Sequence, residues 1–200
     1  MRFTVIMPSY LGDYPGAASD REQKIVRAIN SVIGQNYKDW ELIIVADGCD
    51  RTMQIASQFV ESNIMPVKID KAETWSGVPR NTGIEMASGD YIVYLDNDDY
   101  YGPDHLKIIA DNIGDYDWVW YNDYIFDTKG WQWIERACNI KKRGANGTSN
   151  VCHKKLDVTW DHTGYAHDHH FNSQLLRHRN HTKIETPEYL VCHIPGSYDV

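Results

Sequence analysis

The sequence predicts an α/β fold, a mixed and mostly parallel sheet flanked by helices. Three observations lead there. In the first hundred residues, short apolar runs alternate with segments of helical periodicity. One run, Glu41-Leu42-Ile43-Ile44-Val45, has the continuous apolar character of a strand buried on both faces of a parallel sheet. A chain of 200 residues, 42% hydrophobic and 24% charged, has the size and composition of one ordinary globular domain.

Phe3 to Met7 reads as the first strand, closed by Pro8. Ser19-Asp20-Arg21-Glu22 has the form of a capping box, in which the Ser19 hydroxyl and the Glu22 carboxylate satisfy reciprocal backbone donors. Behind it Ile25, Val26, Ile29, Val32 and Ile33 fall at helical spacing, with Gly34 as the stop. Glu41 to Val45 follows as the second strand. Asp50 caps a second helix carrying Ile55, Ala56, Phe59 and Val60, Met65 to Ile69 is a third strand, and Val78 to Ala87 is a third helix. Tyr91 to Leu95 makes a fourth strand that stops at Asp96. Strands separated by such crossovers run parallel with right-handed connections.

The second hundred residues are less regular. Gly102-Pro103-Asp104 opens a helix carrying Leu106, Ile109 and Ala110. Trp118 to Phe126 and Trp131 to Ala137 read as a hairpin joined by Asp127-Thr128-Lys129-Gly130. Lys141-Lys142-Arg143-Gly144 is a basic loop. A helix starting near Asp168 carries Phe171, Leu175 and Leu176, and Tyr189 to His193 forms the last strand.

A net charge of −8 argues against a nucleic-acid binder, which needs a positive face to release counterions. No run of 18 apolar residues is present to span a membrane, and Met1 to Ile6 is too short for the apolar core of a signal peptide. Cys49, Cys138, Cys152 and Cys192 form no C-x-x-C pair, which suits a reducing cytoplasm better than a disulfide scaffold or zinc finger. Asn146-Gly147-Thr148 and Asn180-His181-Thr182 fit the N-glycosylation pattern, but without a secretory signal they read as chance. Seven tryptophans, thirteen tyrosines and nine histidines are the unusual part of the composition. Such rings are costly at a surface unless they bind something planar or sugar-like, so most are expected in the core.

Ligands of open α/β sheets bind at the carboxyl ends of the strands. Asp96-Asn97-Asp98-Asp99 follows the fourth strand at that edge. Two carboxylates one residue apart can reach one divalent cation, which in turn neutralises a diphosphate. The competing reading is a solvated turn that caps the next helix. Asp115-Tyr116-Asp117 is the internal control: it precedes a strand and so falls at the wrong edge.

Five segments in order decide between these readings: Val5-Ile6-Met7-Pro8-Ser9-Tyr10, Ser31-Val32-Ile33-Gly34-Gln35-Asn36-Tyr37, Trp40 through Gly48, Arg80-Asn81-Thr82-Gly83-Ile84, and Gly89 through Asp99. Together they resemble family 2 glycosyltransferases of the GT-A fold, densely over the first hundred residues. The resemblance implies a single GT-A domain over residues 1–200, with a nucleotide-binding half of about 1–100 and an acceptor and catalytic half of about 101–200. It implies that Pro8, Ser9 and Tyr10 face the nucleoside, that Asp47 lies near the base, and that Arg80 approaches the nucleotide or donor sugar. Asp96, with Asn97 beside it, contacts ribose or sugar, and Asp98 is the principal ligand of a Mn²⁺ or Mg²⁺ ion. Taken alone, Asp47 would be a turn residue and Arg80 a surface helix charge. Members often carry two aspartates before the glycine of the second strand, where this chain has Ala46-Asp47. That departure bears on base selectivity.

An inverting transfer needs a carboxylate to take the acceptor proton. By resemblance that base is Asp168, with His167 where the family usually has Glu and Asp161 as the fallback. A helix N-cap is the structural alternative for Asp168, and the two do not exclude each other. His193 is implied as a further metal ligand, against the alternative of a packed strand-end imidazole. His162, His167, His169 and His170 lack the spacing of a zinc motif. Trp131, Trp133 and Trp160 are acceptor-stacking or core residues, and Gly147-Thr148-Ser149 resembles the small-residue loop that admits an acceptor. Gln174-Leu175-Leu176-Arg177-His178 departs from the Q-x-x-R-W motif of processive synthases, which excludes that class.

The expected activity is metal-dependent, inverting transfer of a sugar from a nucleotide-sugar donor, taken as UDP-linked, to a glycan or glycoconjugate hydroxyl. A sugar-nucleotide-forming nucleotidyltransferase is the first rival, but Pro8-Ser9-Tyr10-Leu11-Gly12-Asp13 lacks its glycine-rich basic loop. An inactive carbohydrate-binding module is the second. It would bind glycans without nucleotide or metal.

Overall fold

The strand–helix alternation of the first half is present in the computed structural model, which describes residues 1–14, 19–73, 76–127, 129–161, 164 and 166–192. In chain order it runs β1 (Phe3–Ser9), α1 (Arg21–Ile33), β2 (Trp40–Asp47), α2 (Asp50–Ala56), β3 (Ile64–Ile69), α3 (Gly77–Met86) and β4 (Tyr91–Tyr94). The second half follows with β5 (Tyr100–Tyr101), α4 (His105–Ile113), β6 (Trp118–Trp120), β7 (Asp123–Asp127), β8 (Gln132–Arg136), a 3₁₀ turn (Thr148–Asn150), β9 (Val151–His153), α5 (His167–Leu175), β10 (His181–Lys183) and β11 (Tyr189–Val191).

Seven strands form one sheet in the order β10-β6-β9-β4-β1-β2-β3, and a smaller sheet runs β5-β11-β7-β8. β4, β1, β2 and β3 are mutually parallel, while β9 is antiparallel to both β4 and β6. The carboxyl ends of the four parallel strands and the start of β9 therefore share one edge. The large sheet draws strands from both halves of the chain.

β1, β2 and β4 are apolar because both faces are covered, whereas the edge strand β3 is partly exposed. Along β1, Val5 and Met7 pack with Ile25, Ile29 and Val32 of α1 and Leu106 and Ile109 of α4. Ile6 between them points to the opposite layer, with Ile84 of α3 and Phe171 and Leu175 of α5. The pleat's alternation splits a continuous apolar run between two cores. Gly83 lets α3 lie close to β1, since a Cβ there would come within 2.5 Å of Ile6 Cγ2. Among the described residues no helix is long and apolar enough to cross a membrane. All four cysteines are buried.

Several local expectations are corrected. β1 continues through Pro8, which sits opposite Val45 of β2 beyond the last β4 partner, Ile6. Proline's missing N–H costs nothing where a strand has one neighbour. The Ser19–Glu22 capping box does not form: Asp20 is the N-cap residue of α1, and the Glu22 carboxylate is held by Arg51 at 2.5 and 2.6 Å. α2 ends at Ala56, where the Gln58 and Phe59 amides make tighter i→i+3 bonds, and Val60 is 91% exposed. The stretch from Trp118 to Phe126 is two strands in two sheets. It breaks at Asn122, whose side-chain carbonyl accepts the Cys138 amide. The hairpin itself is present, with Phe126 opposite Trp133. β5, β9 and β10 were not expected. At two or three residues each, they carry no periodicity to read.

Glu41 is the charged residue inside the apolar second strand. Burial opposes its ionised form, but donors from Ser88 and Thr4 outweigh that and hold it below the usual carboxylate range.

Candidate functional site

A cavity of about 610 Å³ opens at the shared edge. Its wall carries the described residues expected at the donor and for the base: Pro8, Ser9 and Tyr10 at the end of β1, Asp47 at the end of β2, Arg80 on α3, Asp96 to Asp99 after β4, and Asp168 on α5. His193 and His162 lie outside the described residues. Asp115 and Asp117 precede β6, which runs parallel to β4, and so lie at the far edge, where Asp117 is paired with Lys154 at 2.8 Å.

On one side of the cavity, Asp47 ends β2 with its carboxylate buried. Oδ1 accepts the Ala72 amide at 2.6 Å and Oδ2 accepts the Lys71 ammonium at 2.6 Å. Lys71 Nζ also lies 4.5 Å from the centre of the Tyr10 ring. The Ser9 hydroxyl is buried against the protein: it meets Thr52 Oγ1 at 3.1 Å and accepts from Asn97 Nδ2 at 3.0 Å. Ser9 and Asn97 thus tie the β1 turn to the acidic loop.

At the centre, Arg80 is 3% exposed. Its guanidinium donates to Asp96 Oδ1 at 2.7 Å and to the Ser76 hydroxyl, and lies 4.9 Å from the centre of the Trp160 ring. Its Nε is buried and finds no partner among the described residues. Thr148 donates to the other Asp96 oxygen at 3.1 Å. Asp99 is fully enclosed: it accepts the Tyr189 hydroxyl at 2.9 Å and the Cys192 amide at 2.5 Å. Burial, then the Asp98 and Asp96 carboxylates, push its pKa well above the ordinary value. Tyr189 in turn accepts the Asp96 amide at 3.2 Å.

The four acidic-loop positions therefore do different work. Asp96 and Asp99 are engaged by protein donors, Asn97 binds Ser9, and Asp98 is on the cavity wall. Among the described residues no group of three or more His, Cys, Asp or Glu side chains is arranged to hold a metal. An oxygen donor set built on one carboxylate fits a hard cation that takes its remaining ligands from phosphates and water.

On the far side, Asp168 occupies the second position of α5, and Ala166 is the N-cap residue, so Asp168 does not cap the helix. His167 Nδ1 is 2.9 Å from the Gly164 carbonyl and its Nε2 is 2.9 Å from Asp168 Oδ1. Burial disfavours the imidazolium, but the Asp168 carboxylate outweighs that and raises the His167 pKa. Asp161 is paired with His170 at 2.8 Å and is not on the cavity wall. Trp160 is core, stacked on Phe171 at 3.9 Å, and neither Trp131 nor Trp133 reaches the cavity.

Sequence reasoning missed Lys71, Arg136 and the particular role of Thr148. Lys71 had a usable signal, because it follows β3 at the same edge as Asp47. Arg136 had none: it lines the cavity through a bidentate pair with the buried Asp123, which also accepts from Asn150 at 3.1 Å.

Comparison with known proteins matches residues 4–178 to the model of glycosyl transferase family 2. Poly(ribitol-phosphate) β-N-acetylglucosaminyltransferase TarS of Staphylococcus aureus is 32% identical over 116 residues, covering 55% of this chain and 18% of its own. The Escherichia coli enzyme WfgD, a UDP-Glc:α-D-GlcNAc-diphosphoundecaprenol β-1,3-glucosyltransferase, is 33% identical over 106 residues, 52% of this chain and 38% of its own. Among solved structures, S. aureus TarS 1–349 in complex with UDP-GlcNAc superposes with a TM-score of 0.75 at 20% identity, over 96% of this chain and 58% of that one. The mannosyltransferase PcManGT of Pyrobaculum calidifontis, in complex with GDP-Man and Mn²⁺, gives 0.65 at 16% identity, over 98% and 58%. These likenesses in structure are of fold, and the chain spans well under two thirds of each of these relatives.

Proposed function

The chain belongs to glycosyl transferase family 2 and has the GT-A fold, and on that premise we propose that it transfers a sugar from a nucleoside-diphosphate donor to an acceptor hydroxyl, with inversion. The observation that carries the reading is the single cavity wall. It joins Tyr10 and Asp47 at the ends of β1 and β2, Arg80 on α3, Asp98 after β4 and Asp168 on α5.

In this reading the nucleoside lies against Pro8, Ser9, Tyr10 and Asp47, and the diphosphate near Asp98. Arg80 and Thr148 hold Asp96 rigid toward the ribose or donor sugar, with Asn97 bracing the loop. Asp168 accepts the proton of the acceptor hydroxyl as its oxygen bonds to the anomeric carbon. The bond from that carbon to the diphosphate oxygen breaks, and its electron pair leaves with the diphosphate. Asp98 would hold a Mn²⁺ or Mg²⁺ ion, with His193 as a proposed further ligand. When bound, such an ion neutralises charge on the leaving diphosphate. A UDP-linked donor is supported by the TarS complex, and a glycan or glycoconjugate acceptor by the relatives' names. The buried thiols suit a reducing cytoplasm.

The test is sugar transfer by Asp168→Asn alongside nucleotide binding. We expect kcat to fall about 100-fold or more while UDP binding stays within about twofold. Near-normal transfer by this variant overturns the assignment of the base. If glycans stabilise the protein and no nucleoside diphosphate does, the binding-module reading replaces it.

A further inference from the structure

We propose that His167, as an imidazolium, is the positioning residue for Asp168: it holds carboxylate oxygen Oδ1 and leaves Oδ2 turned to the acceptor hydroxyl. The inference rests on the reading of Asp168 above. It concerns the position where this chain has histidine in place of the family's usual glutamate.

The backbone fixes the tautomer. His167 Nδ1 lies 2.9 Å from the Gly164 carbonyl oxygen, which can only accept, so Nδ1 carries a hydrogen. A neutral ring placed in this way turns the bare lone pair of Nε2 toward Asp168 Oδ1, 2.9 Å away. Two acceptors at that distance repel. A proton on Nε2 converts the same contact into an ion pair, and both ring nitrogens then donate.

The surroundings favour that second proton. Asp168 Oδ1 is buried, and among the described residues no other donor reaches it. Burial of the ring opposes the imidazolium, and so does the Arg80 guanidinium on α3. The Asp168 carboxylate and the Gly164 carbonyl outweigh both. The Arg80 charge is itself met by Asp96 at 2.7 Å. Trp160, with its ring centre 6.0 Å from that of His167, is an uncharged neighbour.

The consequence is geometric. The Asp168 side chain lines the cavity and is 23% exposed while Oδ1 is buried, so Oδ2 is the oxygen within reach of an acceptor. A carboxylate held at one oxygen cannot rotate freely, and the other oxygen stays aimed. During transfer the acceptor proton goes to Oδ2 and the acceptor oxygen bonds to the anomeric carbon. The imidazolium keeps its own proton, and Asp168 returns the transferred one to solvent once the product has left. Above the His167 pKa the Nε2 lone pair repels Oδ1 and the hold is lost. That pKa lies above the ordinary 6.5, so transfer should decline on the alkaline side of it.

The experiment is a ¹⁵N NMR titration of the histidine rings from about pH 5 to 9 in wild type, His167→Gln and Asp168→Asn. The pH profile of sugar transfer is then measured in the assay used for Asp168→Asn. His167→Gln identifies the His167 signals. We expect a wild-type midpoint above 6.5, a neutral form with its hydrogen on Nδ1, and a midpoint lower by about 1 pH unit in Asp168→Asn. A wild-type midpoint at or below 6.5, a midpoint unmoved by Asp168→Asn, or a neutral form protonated at Nε2 overturns the inference without recourse to turnover. In the assay, His167→Ala should lower kcat about tenfold or more. His167→Gln, whose amide donates at every pH, should recover most of that loss and show no alkaline decline. The same alkaline decline in wild type and His167→Gln overturns the positioning role and leaves Asp168 as the base. Near-normal transfer by Asp168→Asn overturns the base reading and this inference with it, while the pairing seen by NMR still stands.

Discussion

The two halves of the chain build the same cavity by different means. β1 and β2 are seven and eight residues long, buried throughout, and paired to chain neighbours in parallel. Among the described strands of the second half none exceeds five residues, and β9 is inserted between β4 and β6, out of chain order. The first half is a scaffold whose loops follow from its strands. In the second half the loops are held by side-chain contacts to the first. Stability should therefore reside mainly in the first half, whose strand ends also carry the proposed donor site, while the proposed base, Asp168, comes from the second.

The largest effect that tests this contrast is on stability. Leu42→Ala, in the middle of β2 and fully buried, should cost about 3 kcal/mol in chemical denaturation. Ile134→Ala on β8, where the side chain is 38% exposed, should cost less than about 1 kcal/mol. Equal losses would erase the contrast. The Asp168→Asn loss of about 100-fold in kcat comes next, and it should leave the denaturation midpoint close to wild type.

Thr148→Val should act at the seam between the halves. It removes the donor to Asp96 and keeps the shape, so about 1 kcal/mol of stability should go. A double cycle with Asp96→Asn would show whether the two residues act as one unit.

A pH-dependent effect involves two buried histidines of the second half, His105 on α4 and His153 on β9. Burial lowers His105 to about 3 and His153 to about 4, from an ordinary 6.5. In that window the unfolded chain binds protons that the native state does not. Their contribution is therefore fully present above pH 6.5 and is lost progressively as pH falls toward about 4 and then about 3. Denaturation midpoints at pH 7.5 and 5 should show the decline. His105→Phe should lessen it at little cost at neutral pH. The imidazole stacks on Tyr101 at 3.8 Å, and neither ring nitrogen has a partner among the described residues.

Legibility divides along the same line. β1, β2 and β4 and the helices between the strands were readable because burial writes itself as apolar runs and helical spacing. The ends went wrong where a long-range partner outcompeted a local one, as when Arg51 took the Glu22 carboxylate that a capping box would have used. At the site, the acidic loop could be placed because it follows a strand at the ligand edge, whereas Asp47 and Arg80 were placed by the family resemblance. That Asp96, Asn97 and Asp99 are each held by side chains from elsewhere could not be read, since Tyr189 lies 90 positions from Asp99.

By itself, then, the sequence determined the parallel sheet, the edge where ligands gather and the family, all of which depend on local periodicity and on short motifs in order. Only the tertiary structure decided which groups meet there. Thr148 lies 68 positions from Arg80 and 52 from Asp96, yet touches both. Lys71 reaches the site only because β3 delivers it beside Asp47. The physical reason is that apolar burial is repeated along a strand and leaves a pattern. A buried polar group needs just one partner, and the folded chain supplies it from any distance along the sequence.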